Sequence, residues 1–269
     1  MRRAIPIVVA LIVLIPVCDV FALMENRPAN TSEPTLLKQG KFLVATGATF
    51  LKQPNADKEW DWVSDIECGV FDWFEYDIEL PHVSKLYDDD RIVTADDNGD
   101  EVVSKKKNNS GIGDVAMTWA FGAVKERELI PAITLACTLK TKSGNAGKDL
   151  GTGKNDVSAA LLMMKKFGKL SAVVNVGYKF VGKPDDADVR NTVSNNYMIK
   201  YEISEKLTAV AEIYGETNQD RAAARDPWNM LGGVIYNISD SLAFDCGVGT
   251  GLNSESPALR VTSGLSYSF

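Results

Sequence analysis

A single histidine, His82, stands in a chain of 269 residues, so the side chain that most readily moves protons near neutral pH is all but missing. That scarcity argues against acid–base catalysis. Cysteine is sparse too: of four, Cys68, Cys137 and Cys246 lie beyond the first 22 residues, widely spaced, with no CxxC and no histidine pair nearby. Neither a disulfide framework nor a zinc site is encoded in that spacing. The three read as small apolar wall residues, and no catalytic residue, metal or cofactor is expected. An excess of positive charge is also absent, the formal net charge being −7, which disfavours nucleic acid as a partner. Beyond the N-terminal stretch no apolar run approaches 18 residues, which excludes a helical membrane protein.

What the N-terminus does contain is a leader-like pattern. Arg2 and Arg3 precede a 14-residue apolar run, Ala4 to Val17, and Val20-Phe21-Ala22 offers small residues before a cut. The run is shorter than the roughly 20 residues of a spanning helix. Residues 1–22 are therefore expected to be a cleaved signal peptide. Two rivals are a lipid-modified Cys18, which Ile15-Pro16-Val17 precedes poorly, and an uncleaved anchor. Loss of Arg2, Arg3 and Asp19 makes the remaining chain one unit more negative.

The last eleven residues alternate strictly. Leu259, Val261, Ser263, Leu265, Tyr267 and Phe269 share one face, and Arg260, Thr262, Gly264, Ser266 and Ser268 the other. A soluble sandwich strand would alternate as well, so the remaining segments decide. Those that tolerate a two-residue period are 41–52, 63–71, 74–83, 112–124, 129–141, 154–166, 170–182, 193–203, 207–217, 227–238, 242–251 and 257–269. They are about twelve, an even number as bacterial single-chain barrels require, and most have the length of a tilted membrane crossing. Gap lengths alternate. Residues 53–62, 84–111, 142–153, 183–192, 218–226 and 252–256 are longer loops, whereas Asp72-Trp73, 125–128, 167–169, 204–206 and 239–241 are short. A sandwich has no reason to segregate loop length by end.

The fold expected is all-β: a transmembrane antiparallel up-and-down β-barrel of about 12 strands over 41–269, preceded by the signal peptide and a periplasmic N-terminal segment, 23–40. Its place is the outer membrane of a Gram-negative bacterium. Aromatics near strand ends supply two girdles, with Phe50, Phe180, Tyr197 and Trp228 external and Phe74, Phe121, Tyr236, Tyr267 and Phe269 periplasmic. The polar rows then line the lumen with Glu75, Asp77, Glu79, Asp114, Asp156, Lys179, Lys200, Glu202, Glu212, Glu216, Asp245 and Arg260. A charge facing lipid near the midplane costs about 2–4 kcal/mol for Arg or Lys, which sets the inward side. The 28-residue loop 84–111 carries Asp88-Asp89-Asp90, Asp96 to Asp100 and Lys105 to Lys107. It reads as a solvated charged loop or constriction; the distant Glu of an EF-hand is missing.

Gly111-Ile112-Gly113-Asp114-Val115, Pro131 to Lys140, Leu150 to Ser158, Lys166-Phe167-Gly168 and Asn175 to Gly182 occur in this order. That series resembles the outer-membrane proteins grouped as the meta-pathway of phenol degradation family, over roughly 63–269. The resemblance implies an outer-membrane barrel and transport of aromatic compounds. Thr141-Lys142-Ser143-Gly144 departs from the family's usual Pro-Thr-Gly turn, and three cysteines are unusual for such a barrel. The glycine clusters do not make a nucleotide loop, since no amphipathic helix follows them.

Together these readings give a non-enzymatic channel for passive uptake of small hydrophobic or aromatic solutes. Its partners are outer-membrane lipid, the barrel-assembly machinery and the solute. The alternative is a non-conducting structural or surface-binding barrel. A lipid-acting enzyme would need His82 beside a serine; Ser84 shares its face.

Overall fold

Alternate residues of this chain share a character, and in the computed structural model of the protein that alternation becomes a closed wall. The structure describes residues 27–55, 57–87, 93–95, 101–103, 107–184 and 188–269. Its strands are β1 (Phe42–Lys52), β2 (Lys58–Phe71), β3 (Phe74–Tyr87), β4 (Val93–Ala95), β5 (Glu101–Val103), β6 (Lys107–Ile112), β7 (Ala116–Val124) and β8 (Ala132–Lys140). After a 3-10 turn at Ala146–Lys148 come β9 (Asp156–Phe167), β10 (Leu170–Phe180), β11 (Thr192–Glu202), β12 (Leu207–Glu216), β13 (Trp228–Asn237), β14 (Leu242–Gly251) and β15 (Leu259–Ser268).

β1 pairs antiparallel with β2, β2 with β3, and from β7 to β15 each strand with the next; β1 also pairs with β15, so the sheet closes. β6 and β7 are one stave of this wall: β3 pairs with β7 over Phe74–Glu79 and with β6 over His82–Tyr87. The stave breaks at 113–115, opposite Pro81, which has no N–H to give to the ladder; its carbonyl still accepts from the Gly113 N–H at 2.9 Å. Counting β6 and β7 once gives twelve staves. β4 and β5 pair only with each other.

Period-two geometry then sorts the side chains. Along β15, Thr262, Ser266 and Ser268 are buried on the inside while Val261, Leu265 and Tyr267 are exposed on the outside. On β10, Leu170, Val176, Tyr178 and Phe180 are exposed and Ser171, Val173 and Asn175 are buried. A water-soluble sandwich would bury the apolar row. This molecule shows it to its surroundings all round, as a barrel in lipid does. At the closing seam, Phe42 and Phe269 exchange two backbone hydrogen bonds of 3.0 Å and stack their rings at 5.7 Å. Phe74 and Phe121 stack at 5.0 Å on the same rim, and Phe50 meets Trp60 at 4.9 Å on the other. Tyr197 is exposed midway along β11, opposite Val174, and so belongs to the belt rather than a girdle.

Loop lengths segregate by end with one exception, since β8 starts at Ala132 and the turn expected at 125–128 spans 125–131, longer than loop 53–57; two loop boundaries are also revised. The first long loop is only 53–57, because Lys58 to Trp62 continue β2 and pair with both β1 and β3. The loop expected at 84–111 narrows to 88–106, since Ser84 to Tyr87 pair with Lys107 to Ser110. The acidic runs there, and Lys105 and Lys106, lie outside the described residues. Between β9 and β10, Gly168 takes φ +63° in a two-residue turn, a conformation glycine adopts without strain. Residues 1–22 and the start of 23–40 also lie outside the described part.

From Arg27 onward, the segment expected on the periplasmic side runs inside the barrel. Thr31 is fully buried, and Ala29 and Leu37 nearly so.

Candidate functional site

The register around the wall places Glu75, Asp77, Glu79, Asp156, Lys179, Lys200, Glu202, Glu212, Glu216, Asp245 and Arg260 on the face opposite the exposed apolar rows. Asp114 sits in the break between β6 and β7. Ten of them fall into three groups, and Asp114 and Asp156 meet at Lys140. Asp77 and Glu79 stand across the β2–β3 ladder from Glu67 and Asp65. Lys179 pairs with Glu216 at 3.1 Å, and Glu202 with Lys166 at 4.0 Å. Glu75, Lys200, Glu212, Asp245 and Arg260 all hold the N-terminal segment.

That segment follows the inner circumference. Its Gly40 N–H donates to the Gly69 carbonyl of β2 at 2.7 Å, and the Leu37 N–H donates to Glu75 of β3. Leu36 lies over Gly122 of β7, and the Pro34 carbonyl accepts from Thr134 of β8 at 2.7 Å. Glu33 pairs with Lys200 of β11. Glu212 of β12 accepts the Asn30 N–H at 2.9 Å and the Thr31 hydroxyl. Arg260 of β15 donates to Asn30 Oδ1 at 2.8 Å and to the Tyr214 hydroxyl at 3.2 Å. Finally Arg27 donates to Thr262 Oγ1 at 2.7 Å and to the Ser263 carbonyl, and pairs with Asp245 at 3.5 Å. The chain has then travelled from β2 round to the β1–β15 seam.

Glycines cut the channel in which it lies. A Cβ on Gly233 would stand 2.6 Å from the Pro28 ring, one on Gly264 2.5 Å from Arg27 Nε, and one on Gly69 2.3 Å from the Lys38 carbonyl. Three staves are thus shaped to the segment.

At the external rim a second network joins loop 141–155 to the wall. Lys140 bridges Asp114 at 2.9 Å and Asp156 at 3.1 Å. Asp114 also accepts the Gly144 and Thr152 N–H groups at 2.9 Å each, and Asp156 accepts the Gly182 N–H at 2.8 Å. Desolvation raises the Asp114 pKa, but the hydrogen bonds from Lys140, Thr152 and Gly144 outweigh it and hold the carboxyl below its ordinary value. Gly144 and Gly151 allow the approach: a Cβ on Gly151 would come 2.3 Å from Asp114 Oδ1. At the opposite rim, the Lys165 ammonium, 2.9 Å away, lowers the pKa of Glu126.

Several inward residues escaped the sequence reading. Glu59, Asp61, Asp65 and Glu67 share the inner face of β2. The signal was present, since they alternate with Trp60, Trp62, Ser64 and Ile66. Lys140, which organises the rim, and Arg27, Asn30, Thr31 and Glu33 were also missed. His82 faces outward, its Nε2 3.0 Å from the Ser110 hydroxyl of β6 rather than beside Ser84. Cys68, Cys137 and Cys246 are free and half-buried, on the outward rows. Among the described residues there is no cluster suited to a metal ion and no helix long and apolar enough to cross a membrane.

Comparison with known proteins agrees with this geometry. A family model described as "Putative MetA-pathway of phenol degradation" matches residues 26–269. Among solved structures, the fold is similar to the COG4313 outer membrane channel from Pseudomonas putida F1, with 15% identity, TM-score 0.66, and coverage of 87% of this chain and 97% of that one. The NanC porin follows with 9% identity, TM-score 0.56, and 84% and 98% coverage. A deltaS2S3 mutant of the TodX monoaromatic hydrocarbon channel gives 10% identity, TM-score 0.51, and 88% and 92% coverage. No curated protein matches by sequence.

Proposed function

The chain belongs to the MetA-pathway of phenol degradation family, and from that premise we propose that it is an outer-membrane channel for passive uptake of small hydrophobic or aromatic solutes. The observation that carries this reading is the closed twelve-stave wall with its apolar row outside and its polar row inside. Such a wall separates lipid from a lumen. The likeness to a monoaromatic hydrocarbon channel and to an outer-membrane channel supports the reading at the level of fold. The inward charged residues named above would line the path. His82 and Ser110 pair on the outward face and take no part in the lumen.

The N-terminal segment makes this a closed channel. Strands about 4.8 Å apart and tilted by about 40° give twelve staves a backbone radius of about 12 Å. Inward side chains plus a further layer of backbone fill most of that. Passage therefore requires residues 27–36 to move, and insertion of the wall would rest with the barrel-assembly machinery. The same belt favours the second reading, a barrel that conducts nothing and serves as a scaffold for its loops.

Proteoliposomes separate the two. Wild-type protein should admit phenol or toluene faster than protein-free vesicles, and removal of residues 27–36 should raise the rate at least ten-fold. A chain that stays sealed with the segment removed would overturn the channel.

A further inference from the structure

Inward side chains of a barrel channel are characteristically polar, and around most of this wall they are. Two stretches depart from that: Leu43 and Ala45 of β1, clustered with Leu37 of the segment, and a larger one on β9 to β13. Val173 of β10 lies directly across from Met164 of β9 and Met198 of β11, and with Val210, Ile235 and Ala29 these form one buried cluster. The adjoining rung is Leu162, Asn175 and Asn196. Asn196 gives its Nδ2 to the Asn30 carbonyl at 3.3 Å. Asn175 is only 6% exposed, yet its Oδ1 has no hydrogen-bond partner. Buried amide oxygens are nearly always satisfied, and leaving one unused is costly.

We infer that this patch is a solute seat for a neutral, single-ring molecule with one hydrogen-bond donor. The ring lies on Met164, Val173 and Met198, and the donor points to Asn175 Oδ1. Thioethers favour contact with aromatic rings, and an amide oxygen takes an O–H or N–H donor without any change in charge. A charged solute would shed its water against aliphatic side chains, and the carboxylate across the ladder from Met198, Glu212, is already engaged by Asn30 and Thr31. The inference rests on the channel reading for access, because the side chains of the seat lie on the inner face of the wall. Ala29 is the one member of the cluster that comes from the N-terminal segment. Solute and segment therefore share a surface, and binding favours the displaced segment by whatever affinity difference the solute has for that state.

The test uses the full chain in lipid nanodiscs, with empty nanodiscs subtracted, and two probes of similar shape, phenol and toluene. Wild-type protein should bind phenol more tightly than toluene. Asn175→Leu should weaken phenol about five-fold, the worth of one neutral hydrogen bond, while toluene binds as well or better. Met198→Gln should weaken both probes alike. Heat-modifiable gel migration confirms that each variant is folded. An unchanged phenol-to-toluene ratio in Asn175→Leu, or equal loss of both probes there, overturns the seat. If wild-type protein binds with the expected ratio but admits nothing in proteoliposomes, the seat stands and the channel falls. If it conducts while binding ignores Asn175, the reverse holds.

Discussion

Glu212 is the residue on which the segment depends most directly. It is 3% exposed and receives the Asn30 N–H and the Thr31 hydroxyl on one carboxylate. Hydrogen bonds to a charged group contribute about 1.5–3 kcal/mol each. Glu212→Ala should therefore raise single-barrel conductance events in planar bilayers by at least ten-fold in frequency, while the protein still migrates as a folded barrel. No change in gating would remove Glu212 from that role. Asp114 gives a pH-dependent case at the other end of the lumen. Its pKa is depressed in the folded protein, so its contribution to the rim is complete above the ordinary carboxylate value of about 4 and is lost as pH falls below it. Loop 141–155 should resist an acid-tolerant protease at pH 5 and become sensitive near pH 3. Asp114→Asn should be sensitive at both, and a wild-type loop equally resistant at pH 3 would contradict this. Asp114 was legible in sequence because it stands in a Gly-rich motif. Lys140, its partner, was not, since nothing in the one-dimensional pattern brings it beside residues 26 positions upstream and 16 downstream.

At the scale of elements, legibility followed contrast between faces. β10 and β15 set apolar against polar side chains over ten or more residues, and their limits agree with the periodicity. The first half of β2 reads as a loop because Asp61 stands between two tryptophans after a charged run. The outer halves of β3 and β6 carry Ser84, Lys85, Asn108 and Asn109, polar on both faces, so the period vanishes although the pairing continues. The segment 27–40 has Pro28, Pro34 and no period at all. Its order comes from partners such as Glu75, Thr134 and Thr262, 38 to 235 residues away in sequence, which no local pattern announces. β15 is the element whose end can be tested simply. Deleting Phe269 removes two seam hydrogen bonds and the stack on Phe42, and should lower the folded fraction in outer-membrane extracts several-fold. Glu212→Ala should leave that fraction nearly unchanged. Equal recovery of both variants would count against the seam as the weak point of assembly.

For the molecule as a whole, every stave has a paired neighbour on both sides, save where β6 rises above β8. Closure leaves only that short edge from which the sheet can fray. The protein should therefore run as a compact band in SDS without heating and shift to its full mass only after boiling. A single band at full mass without heating would argue for an open sheet.

The belt inside the lumen has a bearing on how the barrel is made. Arg27 reaches across the junction of the first and last strands: a Cβ on Gly47 of β1 would meet its guanidinium, and it donates to Thr262 and Ser263 of β15. The stretch just before β1 thus holds β12, β14 and β15 through Glu212, Asp245 and Thr262. It shortens the search by which two ends more than 200 residues apart find their register. Loop closure over such a distance is the slow step of a non-local topology. The stopper of the finished channel is then also a template for its final seam. A chain without residues 27–36 should refold into vesicles more slowly than the intact one, even though it conducts more freely once folded.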